Sequence, residues 1–311
     1  MRDDRRRNVG DAIQVDEVGI EYGIYGEFRL RSAYQPIFAP RGRFLHAVAA
    51  EALIEPHRAG RPGAPKVFFE SVAVSDRLFV ETMCRALHLR NFRNIGVDGL
   101  DLFFNYNPLI NDHAGRALAE IRLMTRHLGE FGLASAMLVC EITEQAADDA
   151  LLTRLVREMR RDGMRIAIDD FGTGHSTEER VSLLKPDIVK IDGTWFAEFC
   201  RHAAAERFFR PLVSSLHDRG AKVLVEGIEQ PTHLRVALEG GVDLLQGFLL
   251  ARPALAGTVF EEKPLVIDAL LGRDSKVVPL FGQGMPTIGA VSVLGRFASA
   301  ALIVVPKQII G

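Results

Sequence analysis

Asp169 and Asp170 stand side by side at the end of the apolar run Arg165-Ile166-Ala167-Ile168, and Phe171-Gly172-Thr173-Gly174 follows them. Adjacent carboxylates repel, and burying them costs several kcal/mol unless a cation compensates. The usual compensation is a divalent metal with oxygen ligands. Alone, the pair reads as a solvated turn that caps a helix. Six further polar residues change that reading, because Glu51, Asn105, Glu141, Lys190, Glu226 and Gln246 also lie at or near the ends of apolar runs of strand length. An oxygen-rich set without Cys or His selects Mg²⁺ or Mn²⁺ and argues against zinc. Lys190 is the one cation of the set; its plainer role is an ion pair with Asp187 or Asp192.

A shared site requires strands whose ends converge. The apolar runs predict strands at Tyr34–Phe38, His46–Leu53, Leu100–Asn105, Met137–Ile142, Arg165–Asp170, Asp187–Asp192, Ala221–Glu226 and Asp243–Phe248. The first two are joined by the turn Pro40-Arg41-Gly42 and are close enough to pair antiparallel. Amphipathic spacing predicts helices over 76–92, from Asp112 to about Leu128, over Asp148–Arg161 with Gly163 as its cap, over 197–219 and from Pro231 to Gly240. Pro211 must kink or split the fourth of these. Eight strands alternating with helices over roughly 230 residues predict an α/β fold of the TIM-like (β/α)8 barrel type, with a doubly wound open sheet as the alternative. In a barrel the strand ends meet on one face, where active sites are built.

The 311 residues are 48% apolar and 25% charged, as in ordinary globular proteins. A net charge of −2 gives no basic field for DNA or RNA polymers. Cys84, Cys140 and Cys200 lie far apart, which suggests neither zinc nor a disulfide framework and fits the reducing cytoplasm. Residues 1–28 read as a flexible lead-in, 29–263 as the domain that carries the site, and 264–311 as a tail without an assigned function. Thr287–Pro306 is apolar apart from Arg296, and a central charge costs a spanning helix roughly 2.5–3.5 kcal/mol, so no membrane partner is expected.

Several short motifs resemble the EAL domain, the family of cyclic di-GMP phosphodiesterases. Tyr34-Gln35-Pro36-Ile37 is similar to its opening and Glu51-Ala52-Leu53 to its name motif. Asn105-Tyr106-Asn107-Pro108, Glu141-Ile142-Thr143-Glu144, Asp169-Asp170-Phe171-Gly172-Thr173-Gly174, Lys190-Ile191-Asp192, Glu226-Gly227-Ile228-Glu229 and Gln246-Gly247-Phe248 follow in the family's order, over about residues 30–255. The resemblance implies a TIM-like barrel with one antiparallel strand. It implies that Glu51, Asn105, Glu141 and Asp169 hold one Mg²⁺ or Mn²⁺ ion, and that Asp169 bridges to a second with Asp170 as a further ligand. Lys190 would help activate the attacking water, and Glu226 would assist at the second ion. Gln35, Leu53 and Gln246 would contact substrate, Glu144 and Glu229 would anchor loops, and Gly172, Thr173 and Gly174 would shape the turn behind the ligands. The implied reaction is hydrolysis of cyclic di-GMP to linear 5′-pGpG, and the loop after Asp170 would contribute to a homodimer.

Two departures accompany the resemblance. The family's name motif continues to an arginine that grips a ligand phosphate, whereas this chain reads Glu51-Ala52-Leu53-Ile54-Glu55. A carboxylate there removes an attraction and adds a repulsion, for which His57, Arg58 or Arg61 could compensate. The loop also continues His175-Ser176-Thr177-Glu178-Glu179-Arg180, where family members carry apolar residues. The alternatives are therefore a catalytically weak or inactive domain that serves as a cyclic di-GMP receptor or interaction module, and a phosphodiesterase for another nucleotide.

Overall fold

A computed structural model describes residues 8–107, 128–131, 133–142, 149–172, 178–202 and 205–272. The helix expected from Asp112, the stretch Thr287–Pro306, Glu144, Thr173 and Gly174 lie outside these residues. The strands are β1 (Ile13–Val15), β2 (Glu21–Tyr25), β3 (Phe28–Arg41), β4 (Phe44–Arg58), β5 (Arg61–Pro62), β6 (Asp101–Tyr106), β7 (Leu138–Ile142), β8 (Arg165–Phe171), β9 (Ile188–Ile191), β10 (Lys222–Val225), β11 (Leu244–Leu245), β12 (Ala254–Leu255) and β13 (Leu265–Val266). The helices are α1 (Pro65–Ser71), α2 (Arg77–Asn91), α3 (Asp149–Arg161), α4 (Glu178–Leu184), α5 (Gly193–Phe199), α6 (Ala205–Asp218), α7 (Pro231–Gly240) and α8 (Ile267–Leu270).

Eight strands close in the order β3-β11-β10-β9-β8-β7-β6-β4, and β4 pairs back to β3. Only β3 runs against its neighbours β4 and β11; the other contacts around the ring are parallel. The open sheet is thereby excluded. Each barrel strand sends one apolar side chain inward, and Ile37, Ala49, Phe103, Val139, Ala167, Ile188, Leu224 and Leu244 pack together as a plug. Side chains two residues apart on a strand share a face. Two residues beyond the plug on the parallel strands stand Glu51, Asn105, Glu141, Asp169, Lys190, Glu226 and Gln246; two residues before it on β3 stands Gln35. The polar ring is therefore the layer next above an apolar floor.

Three expectations change. The lead-in carries a short 3₁₀ turn at Val9–Ala12 and the antiparallel strands β1 and β2, which extend the sheet along β3. Val9, Ala12, Ile13 and Tyr25 of this segment pack on a second apolar cluster formed by Leu30, Ile54, Phe68, Val80, Met83 and Leu87. The predicted helix over 197–219 is two helices: α5 starts earlier, at Gly193 with Asp192 as its cap, and ends at Phe199, and α6 begins at Ala205. Pro211 sits within α6 on its exposed side, where the unpaired carbonyl of Arg207 can reach water. The supposed tail begins with β13, which pairs with Leu45 and Phe44 of β4, so the folded part passes residue 263. No helix among the described residues is long and apolar enough to cross a membrane.

Helix α2 is locked to the hairpin by polar contacts inside an apolar surround. The Tyr34 hydroxyl donates to the His88 carbonyl at 2.6 Å, and Ser32 Oγ lies 3.2 Å from His88 Nδ1. Asn91 bridges to Glu21 of β2 through both its amide atoms, accepting at 2.9 Å and donating at 2.7 Å. Burial, aided by the Arg85 guanidinium, pushes the His88 imidazole down to about 3. The unfolded chain takes up this proton near pH 6.5 and the folded chain does not. Stability from neutral His88 is thus complete above pH 6.5 and declines as pH falls below it. Urea unfolding at pH 7 and pH 5 should show His88→Gln losing about 2 kcal/mol less than the unsubstituted protein across that interval.

Candidate active site

Lys190 is fully buried in the mouth of the barrel, and its ammonium is the point on which the site converges. Nζ lies 3.3 Å from Glu51 Oε1, 2.6 Å from Glu141 Oε1, 3.1 Å from Asp169 Oδ1 and 2.8 Å from Glu226 Oε1. Four strands (β4, β7, β8 and β9) and the residue after β10 supply these groups. Gln246 Nε2 donates to Glu51 Oε2 at 2.7 Å, which fixes the other oxygen of that carboxylate. Neither plainer partner of Lys190 is used. Asp192 accepts from the Trp195 backbone at 2.7 Å as the cap of α5, and Asp187 accepts from Ile166 N at 2.8 Å.

The Asp-Asp pair reaches the site through a local break in β8. Successive strand residues alternate faces, so a regular strand would aim Asp169 and Asp170 in opposite directions. The pairing with β9 instead shifts between Ile168 and Phe171, and Asp170 adopts φ +55°. Asp and Asn tolerate this left-handed conformation better than most residues. The bulge turns Asp170 so that it, Asp169 and Glu226 offer oxygens within 4.8 Å of one another.

Four carboxylates thus face one ammonium, and a fifth, Asp170, lies beside Asp169 and Glu226. Burial works against the proton of Lys190, but Asp169, Glu141, Glu226 and Glu51 together hold it well above the usual lysine range. One lysine cannot satisfy so many anions. Burial pushes Glu226 up to about 8 even with Lys190 beside it, and Asp169 and Glu51 add repulsion. Glu141, also buried, is raised well above the carboxylate range. Its Oε2 has no hydrogen-bond partner among the described residues. An orphaned buried carboxylate oxygen beside three clustered oxygen donors fits hard divalent cations, and Asp169, Asp170, Glu226, Glu141 and Glu51 could hold them.

The remaining expected residues occupy the rim. Gln35 is buried, and its Nε2 donates to the Ala251 carbonyl at 3.1 Å. Asn105 is exposed and, with Leu53, lines a cleft of about 740 Å³. Glu55 lines the same cleft, yet its Oε1 lies 2.5 Å from His57 Nε2, so that histidine is engaged with Glu55 itself. Arg58 pairs with Glu27 at the surface. Lys66 and Arg77, at the starts of α1 and α2, also line the cleft; sequence reading missed them because no strand end marks them. Glu229 is exposed after β10, and Gly172 adopts φ +106°.

The chain matches the EAL domain over residues 26–253. It is 30% identical over 237 residues to the cyclic di-GMP phosphodiesterase RocR of Pseudomonas aeruginosa, covering 73% of this chain and 58% of that protein. To the probable cyclic di-GMP phosphodiesterase PdeD of Escherichia coli it is 34% identical over 119 residues, 37% of this chain and 22% of that protein. Among solved structures, BlrP1 of Klebsiella pneumoniae in a calcium and cyclic di-GMP complex is similar, with a TM-score of 0.63 and 25% identity over 76% of this chain and 58% of that one. In each of these three pairings the chain spans less than two thirds of the relative's length. The match to the family covers most of this sequence and takes in every member of the acid ring: the chain belongs to the EAL domain family.

Proposed function

We propose that this protein is a phosphodiesterase that hydrolyses cyclic di-GMP to linear 5′-pGpG with two Mg²⁺ or Mn²⁺ ions. The observation that carries the reading is the enclosure of the Lys190 ammonium by Glu51, Glu141, Asp169 and Glu226, with Asp170 alongside. That imbalance of charge asks for further cations. Two such ions, when bound, would lower the pKa of a water, clamp the phosphodiester and neutralise the leaving alkoxide.

Glu51, Asn105, Glu141 and Asp169 would hold one ion; Asp169, Asp170 and Glu226 would hold the other. Lys190 would stabilise negative charge developing on the phosphoryl oxygens and hold the attacking water by a hydrogen bond. Water adds to one phosphorus, the bond to the 3′ oxygen breaks, and that oxygen takes a proton. Gln246 keeps Glu51 oriented, while Leu53 and the cleft beside it would receive the nucleotide. The free thiols Cys84, Cys140 and Cys200 suit the cytoplasm, which we propose as the compartment.

One observation favours a second reading. Glu55 faces the cleft in place of a phosphate-gripping arginine, and its partner His57 is spent on it. A receptor or weak enzyme of the same barrel would show ligand binding with little turnover.

Three outcomes are expected. Glu51→Ala, Asp169→Ala and Lys190→Ala should each lower 5′-pGpG release at least ~100-fold, followed by chromatography with Mn²⁺ present. Glu55→Arg should lower the KM for cyclic di-GMP by roughly 10- to 100-fold, since a charge-assisted hydrogen bond is worth about 1.5–3 kcal/mol. Lys190→Met leaves the buried acids without their cation and should destabilise the metal-free protein by roughly 3–5 kcal/mol, with Mn²⁺ recovering part of the loss in urea unfolding.

A further inference from the structure

We infer that the first turn of α5, Gly193-Thr194-Trp195, is a positioning device that sets the spacing between the carboxylates of Asp170 and Glu226. The inference rests on the two-ion reading proposed above. Asp170 and Glu226 lie on different strand-end loops, and like charge pushes these loops apart. Something must hold them at the separation that lets their oxygens, with those of Asp169, lie within 4.8 Å of one another.

The turn touches both loops. On one side the Trp195 ring lies flat against Gly172, two residues after Asp170. A Cβ at Gly172 would stand 2.8 Å from Trp195 Cδ2 and 2.9 Å from Cγ, nearer than real Cβ atoms come. The ring is restrained by stacking on Phe199, with centroids 5.1 Å apart and planes at 17°. Its backbone is held too, since Trp195 N donates to Asp192 Oδ1 at 2.7 Å and Asp192 N donates to the Phe171 carbonyl at 3.2 Å.

On the other side backbone rests on backbone. A Cβ at Gly193 would lie 2.8 Å from Gly227 Cα, and a Cβ at Gly227 would lie 2.7 Å from Gly193 Cα. Gly227 follows Glu226 directly and adopts φ +65°, so neither position accepts a side chain without moving the Glu226 loop. A third close approach extends the line: a Cβ at Gly247 would meet Ile228 N at 2.2 Å, tying the residue after Gln246 to the same loop. These contacts are between backbones and a stacked ring, which yield less than flexible side chains do. Metal donors must be placed to within about half an ångström, which is the tolerance this packing can enforce.

The test is Mn²⁺ binding by the full chain, followed by calorimetry and by the electron paramagnetic resonance signal of free Mn²⁺. The unsubstituted protein should take up two ions. Gly193→Ala and Trp195→Ala should weaken the second ion at least ~10-fold while changing the first less than ~3-fold, and Trp195→Phe, which keeps a flat ring, should bind both nearly as the unsubstituted protein does. Melting in EDTA reports whether each variant folds, and the Trp195 pair carries the comparison if Gly193→Ala does not. Folded alanine variants that bind both ions with unchanged affinity would overturn the positioning role alone. An unsubstituted protein that binds fewer than two ions would overturn the two-ion reading and this inference with it.

Discussion

The site depends on one electrostatic constraint: a single buried ammonium is shared among more carboxylates than it can neutralise. An isolated lysine in that position would lose its proton to burial, and isolated carboxylates would gain theirs. Each group is held in the barrel only by the others. The arrangement leaves buried negative charge that Lys190 alone does not neutralise.

The barrel solves the geometric half of the problem with simple means. A floor of one apolar side chain per strand supports a polar layer two residues further along, so the same alternation that fills the core also aims the acids. The exceptions are informative. Asp170 could not have joined Asp169 without the bulge in β8, and its left-handed backbone is the strain that admits a second adjacent carboxylate. Gly193 and Gly227 permit two neighbouring loops to touch where any side chain would part them.

Glu55 and His57 engage each other on a wall of the cleft where the family resemblance leads one to expect an arginine. Phe69 and the prolines Pro62, Pro65 and Pro253 give the cleft an apolar surface, while Lys66 and Arg77 are the exposed cations on its wall. The acid ring and the cleft are thus separate features of this chain. They are built from different elements, the first from strand ends and the second from the hairpin and the starts of α1 and α2.

Much of this was legible in the order of residues. Apolar runs ending in Glu51, Glu141, Asp169, Lys190, Glu226 and Gln246 indicated strands and a common site, because strand period and burial leave a local imprint on sequence. The same local logic failed where partners are remote. The strands of the N-terminal extension are short, and only their pairing along β3 and their packing on the cluster under α2 make them strands. The helix expected over 197–219 is divided: α5 starts earlier, at Gly193, where it touches Gly227 over thirty residues away in sequence, and it ends at Phe199 before α6 begins at Ala205. Nor could spacing decide what Lys190 faces: Asp187 and Asp192 are near along the chain, yet closure of the barrel brings Glu51 within reach from 139 residues away. Sequence determined which groups were available and on which side of each strand they lie. Tertiary structure alone decided which of them meet, because like charges are brought together only when burial of the surrounding core compensates their repulsion.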